Sequence, residues 1–115
     1  MKGLVIAGLS LGVIVAALSL SLTASAAIDA DAAQSLAKKN DCFKCHAIAK
    51  TKKGPAYKKI AAKYKDKPEG EEKVIKNMTT GPKVKLEDGT EEEHKIIDTK
   101  DPKELSNLAQ WILTR

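Results

Sequence analysis

Cys42 and Cys45 are separated by two residues and His46 follows at once, so that Cys42-Phe43-Lys44-Cys45-His46 spells C-x-x-C-H. That string is the signature of covalent c-type haem attachment. Two thiols at this spacing can add to the two vinyl groups along one porphyrin edge, and the adjoining residue then brings an imidazole beneath the iron as the first axial ligand. Other chemistries draw on the same residue types. Thiol-disulfide exchange uses a lone C-x-x-C, but it calls for a lowered first-thiol pKa and a βαβ setting, which this sequence does not offer. A structural zinc site needs four ligands, and the convenient set of Cys42, Cys45, His46 and His94 would oblige adjacent Cys45 and His46 to share one ion. A plain disulfide is the remaining alternative. The reading adopted is one covalent haem c with its iron, which consumes both thiols.

Such attachment takes place outside the bacterial cytoplasm, and the N-terminus carries the matching address. Met1-Lys2-Gly3 is followed by an apolar run from Leu4 to Leu22 and by the small residues Ala24-Ser25-Ala26-Ala27. Residues 1–27 therefore read as a secretory signal peptide, cleaved after Ala26 or Ala27, with a retained membrane anchor as the alternative because the apolar run is long enough to span. The expected location is the periplasm, with membrane association only if the leader stays on. Residues 28–115 then form a single small domain, expected to be a monomer. A chain of this size buries only roughly 60% of its unfolded surface, and Phe43, Tyr57, Tyr64 and Trp111 are its only aromatics after the leader. A covalent porphyrin supplies the missing apolar volume, so the haem-free chain is expected to be largely disordered.

The elements that must position the motif can be traced along the chain. Asp29 or Asp31 caps a helix starting near Ala32, whose stripe of Ala33, Leu36 and Ala37 leads through Asn40-Asp41 to Cys42. Residues 47–53 read as loop. Pro55 fits a first helical position, with Tyr57, Ile60, Ala61 and Tyr64 on one face of the helix that follows. A further helix is expected over Glu69–Asn77. Gly81-Pro82 then breaks the pattern, and Asp88-Gly89 is a hairpin turn pair that would join Lys83–Leu86 to Glu92–Ile96. Asp101 as N-cap, Pro102 at N1 and Glu104 at N3 open the last helix, with Leu105, Leu108, Ala109 and Ile112 facing inward beside Trp111.

This layout resembles the class I c-type cytochromes, in particular the short bacterial monohaem carriers. The likeness is strongest from Cys42-Phe43-Lys44-Cys45-His46-Ala47-Ile48 through Lys53-Gly54-Pro55-Ala56-Tyr57-Lys58, and again over Leu108-Ala109-Gln110-Trp111-Ile112-Leu113. It implies an all-α fold in which the first and last helices cross around one haem, here with a small β-hairpin near residues 83–96. It also implies that Gly54 and Pro55 line the proximal side, with the Pro55 carbonyl accepting the His46 Nδ1–H and leaving Nε2 for iron. The pattern breaks at the sixth ligand. The family supplies a methionine from the loop before the last helix, where this chain has Glu93-His94-Lys95. After the leader, Met78 is the one methionine and His94 the one histidine besides His46. His94 stands seventeen residues before Trp111, near the family's ligand position, and is the favoured distal ligand. Met78 stands thirty-three before it and reads as core packing, with distal ligation as the alternative.

A second imidazole favours ferric iron where methionine favours ferrous, so the reading is a low-potential one-electron carrier. Two alternatives stay open: a gas or redox sensor whose distal ligand dissociates, and a higher-potential His/Met carrier. No acid–base pair or nucleophile apart from the thiols forms a motif, so an enzyme is not expected. The formal net charge is +5, and eleven lysines lie between Lys38 and Lys67 against Asp41 and Asp66 alone. That basic half suits an acidic docking surface on a larger redox protein, and no recognition motif accompanies it for nucleic acid.

Overall fold

A computed structural model describes residues 27–115, together with Gly3, Gly8 and Gly12 alone from the segment before them. The leader expected over residues 1–27 thus lies, those glycines and Ala27 aside, outside the described residues. Among the described residues, no helix is long and apolar enough to cross a membrane. Five helices and one ribbon follow in order: α1 (Ala30–Lys39), α2 (Cys42–Cys45), α3 (Tyr57–Tyr64), α4 (Gly70–Thr80), β1 (Lys83–Lys85), β2 (Glu91–Glu93) and α5 (Pro102–Leu113).

α5 is the hub, packing against α1, α3 and α4. Its Leu108 and Trp111 are the largest fully buried side chains. Ala33 and Ala37, which are also buried, let α1 approach α5 closely where larger side chains would hold the helices apart. Where the start of α1 meets the middle of α5, the Asp29 N–H donates to Asn107 Oδ1 at 2.8 Å and Asn107 Nδ2 donates back to the Asp29 carbonyl at 2.9 Å. The Asp29 side chain meanwhile caps α1 by accepting from the Ala32 N–H at 3.0 Å, as its residue type predicts.

Several element boundaries depart from the sequence reading, each for a local reason. α1 does not run on to Cys42: Asp41 adopts a left-handed conformation, φ 58°, and the cysteines occupy a separate short turn. Pro55 is not the first helical residue of α3, which begins at Tyr57 after the cap Ala56. The first free amides of that helix are taken by the preceding loop, Tyr57 N–H by the Ala47 carbonyl at 2.9 Å and Lys58 N–H by Ile48 at 3.0 Å, so no side-chain cap is needed. α4 extends past Asn77 to Thr80, with the Thr79 and Thr80 hydroxyls donating back to the Ile75 and Lys76 carbonyls. Gly81 then ends it in the left-handed region, φ 61°, where a Cβ would also lie 2.8 Å from Ile96 Cγ1.

The ribbon pairs Lys83 with Glu93, Val84 with Glu92 and Lys85 with Glu91, the two outer pairs setting opposite charges across from each other. Its turn uses Asp88-Gly89 as expected, with Asp88 Oδ1 accepting from the Thr90 N–H at 2.9 Å. The second strand ends at Glu93 rather than Ile96, because the chain there leaves to bond α4: the Ile97 N–H donates to the Met78 carbonyl at 2.8 Å, and Ile96 is left 58% exposed.

Candidate functional site

The core does not close on itself. α2, α3, the end of α4, the ribbon and the segment after it surround a cavity of about 470 Å³. Cys42, Cys45 and His46 line one side, and His94 and Met78 are among the other residues on its wall. Tyr57, Ile60, Val74, Val84, Leu86, Ile97 and Ile112 supply much of the apolar lining.

His46 is held in one tautomer. Its Nδ1–H donates to the Pro55 carbonyl at 2.6 Å, which leaves Nε2 as the free nitrogen. Its ring stacks on Tyr57 with centroids 5.2 Å apart. Burial holds the imidazole below its ordinary pKa, favouring the neutral form that a metal needs. Gly54 is there for space: a Cβ at that position would lie 2.9 Å from His46 Cε1. Its own N–H donates to the Cys45 carbonyl at 2.8 Å, which ties the Gly54-Pro55 turn to the cysteine helix.

Cys42 and Cys45 are both half-buried and are not joined to each other. Burial is the main influence on Cys42 and raises its pKa, with the Tyr57 side chain acting in the opposite direction. A first thiol whose pKa is raised lacks the activation that disulfide exchange demands. Nor is the zinc arrangement assembled: among the described residues, no three His, Cys, Asp or Glu side chains converge on a point where they could hold an ion. What remains is a thiol pair beside an apolar cavity with an oriented imidazole, a donor set that suits a porphyrin.

His94 follows β2, and its Nδ1–H donates to the neighbouring Lys95 carbonyl at 2.9 Å. Its ring centroid is 6.2 Å from that of His46, with the two planes inclined at 40°. Met78 lies in α4, 7% exposed, within the hydrophobic core that includes Val74, Ile97 and Ile112. The structure thus gathers all seven residues singled out from the sequence around one site, counting Gly54 and Pro55 on the His46 side. Sequence reasoning passed over Asn40, Asp41 and Lys95. Asp41 bridges Lys44 at 3.3 Å and Lys95 at 3.5 Å, linking the cysteine helix to the His94 segment, and Asn40 bonds Asp98. The Asp41–Lys95 and Asn40–Asp98 contacts join residues more than fifty positions apart, which no local pattern signals.

Residues 30–115 match the family model described as "Cytochrome c". Cytochrome c-552 of Nitrosomonas europaea is 50% identical over 52 residues, a stretch that spans 45% of this chain and 47% of that relative. Among solved structures, the class 1 cytochrome MtoD of Sideroxydans lithotrophicus ES-1 is 53% identical with a TM-score of 0.73, covering 76% of this chain and 97% of the other. Wild-type cytochrome c552 of Nitrosomonas europaea is 32% identical with a TM-score of 0.56, covering 70% of this chain and 96% of its own. The fold is accordingly that of the class I cytochromes, mostly helical with a small two-stranded ribbon. The chain belongs to the cytochrome c family, whose members carry a covalently bound haem c and use it to transfer electrons.

Proposed function

We propose that this protein is a periplasmic one-electron carrier with one haem c, ligated by His46 and His94. Cys42 and Cys45 form the two thioether links, His46 is the proximal ligand, and Gly54 and Pro55 give it room and orientation. The observation that carries the reading is the matched pair of imidazoles facing one cavity. Each donates Nδ1–H to a backbone carbonyl and so keeps Nε2 free, the arrangement usual for metal-bound histidine. Two metal–imidazole bonds of about 2 Å, with a ring radius added at either end, span about 6 Å, and the centroids stand 6.2 Å apart.

When bound, the haem supplies the ferric/ferrous couple. The chain's part is to hold two strong donors in place, keep water off the iron with apolar walls, and change little between oxidation states. Two imidazoles set the potential below that of a His/Met carrier built on the same pocket. Met78 packs the core on this reading and does not ligate.

Low-temperature electron paramagnetic resonance of the oxidised protein tests it. The wild type is expected to give a low-spin bis-imidazole spectrum that is lost in His94→Ala, and His94→Met is expected to raise the reduction potential. A spectrum unchanged in His94→Ala removes the bis-histidine assignment. The leader is proposed to be cleaved after Ala26 or Ala27, releasing a monomer. Its lysine-rich half receives larger redox proteins with acidic docking surfaces.

A further inference from the structure

We infer that Asn40 is a positioning residue for the distal ligand: it clamps the segment after His94 to the α1–α2 corner and so keeps the sixth coordination position closed to small molecules. The inference rests on the assignment of His94 made above.

Among the described residues, Asn40 is the one polar side chain in the buried class, 3% exposed. Its side-chain oxygen and both amide hydrogens are engaged, two bonds crossing the corner to Asp98 and one returning to α1. Its Oδ1 accepts from the Asp98 N–H at 3.0 Å, while its Nδ2 donates to Asp98 Oδ1 at 2.9 Å and to the Leu36 carbonyl at 3.0 Å. If α1 needed only to be packed at this point, an apolar side chain would serve. A buried amide costs desolvation, and the cost is recovered only when both of its ends meet their partners, which fixes one placement of Asp98 and excludes neighbouring ones.

Placement of Asp98 governs His94 because only three residues, Lys95, Ile96 and Ile97, separate them and two of these are tied down. Lys95 is drawn to Asp41, the residue next to Asn40, and its carbonyl holds His94 Nδ1. Ile97 is buried and donates its N–H to Met78. The Asp41–Lys95 pair is solvent-exposed and contributes little by itself. The Ile97 bond reaches only the end of α4. Asn40 is the buried tie from this segment to the stretch of chain that carries the cysteines, and Asn40 itself borders the cavity. For His94 to leave the iron the segment must swing outward, and that local opening requires the Asn40–Asp98 ring to break.

Carbon monoxide association with the reduced holoprotein reads the opening directly, since the gas binds only when His94 is off. Asn40→Ala is expected to bind it about tenfold faster than wild type, as the loss of two or three buried hydrogen bonds implies, while keeping the low-spin spectrum at rest. Asp98→Ala, which leaves the Leu36 bond intact, is expected to give a smaller rise of about threefold, and it decides the matter if Asn40→Ala does not assemble. Asp98→Asn retains an oxygen acceptor for Asn40 Nδ2 and is expected to stay at the wild-type rate. Ser106→Ala, at the α4–α5 contact with Glu71, serves as the control for general loosening: it lowers the melting temperature and leaves the rate alone. A wild-type rate in the Asn40→Ala and Asp98→Ala proteins, or an equal rise in Ser106→Ala, overturns the inference. A spectrum indifferent to His94→Ala would instead strike the ligand assignment beneath it, so the two failures are told apart.

Discussion

At the scale of single residues, the proximal side is a set of short-range fits around His46. The Pro55 carbonyl sets the tautomer, Tyr57 backs the ring, and Gly54 is small because His46 Cε1 occupies the space a Cβ would need. Gly54→Ala should push the ring or its turn aside at a cost of about 1–3 kcal/mol, the range for overpacking a tight contact. The expected result is a lower melting temperature of the holoprotein with an altered low-spin resonance, since the imidazole is rotated or its Pro55 bond lengthened. An unchanged melt and spectrum would show that the turn relaxes freely and that the glycine is not needed for room. His94, the proposed distal ligand, has a similar carbonyl anchor but a looser surrounding, with exposed Ile96 nearby.

Among the elements, α5 matters most because the other long helices pack on it. Its start signal works, though by a longer route than the sequence suggests. Asp101 accepts from the Lys103 N–H at 2.9 Å, as an N-cap should. Glu104 does not reach back to Asp101 directly: its carboxylate accepts from the Thr99 hydroxyl, whose oxygen accepts from the Asp101 N–H at 3.2 Å. Thr99 thus becomes a member of the capping box and joins the distal segment to the hub helix. Asp101→Ala is expected to cost about 1 kcal/mol, the usual value of an N-cap. For a domain of this size that corresponds to a drop of roughly 4–8 °C in Tm, read by thermal melting of the holoprotein, and no drop would mean that Thr99 and Glu104 cap the helix without it.

For the molecule as a whole, the charge is divided. Lys59 and Lys63 of α3 border the cavity, as do Lys44 and Lys95, which share Asp41. The ribbon and its turn carry Glu87, Asp88, Glu91, Glu92 and Glu93 against Lys83 and Lys85, so that this part is acidic on balance. Such a separation orients the protein in the field of a partner before contact, and steering of this kind is screened over about 8 Å at physiological salt. Electron exchange with an acidic redox protein is therefore expected to slow steeply as ionic strength rises in stopped-flow measurements. Rates indifferent to salt would remove the docking role of the lysine-rich half and leave those lysines as solvated surface.

The attachment motif, the helix cap at Asp101, a choice of Asp29 or Asp31 for the first cap, the Asp88-Gly89 turn and the inward stripe of α5 could all be read from the sequence, because each is a short-range relation between residues a few positions apart; the structure takes Asp29 and starts α1 at Ala30. The same holds for the likeness in element order that pointed to the fold. Where partners are remote the sequence was silent: it gave no sign that Pro55 would stand outside α3 with loop carbonyls serving the helix start, that Ile96 would leave the ribbon, or that Asn40 would meet Asp98. The spacing to Trp111 singled out His94, but only the packing of the ribbon and α4 brings its ring within 6.2 Å of His46 and leaves Met78 in the core. Local chemistry is encoded residue by residue along the chain, whereas which side chains face one another across a cavity depends on how every helix settles against α5.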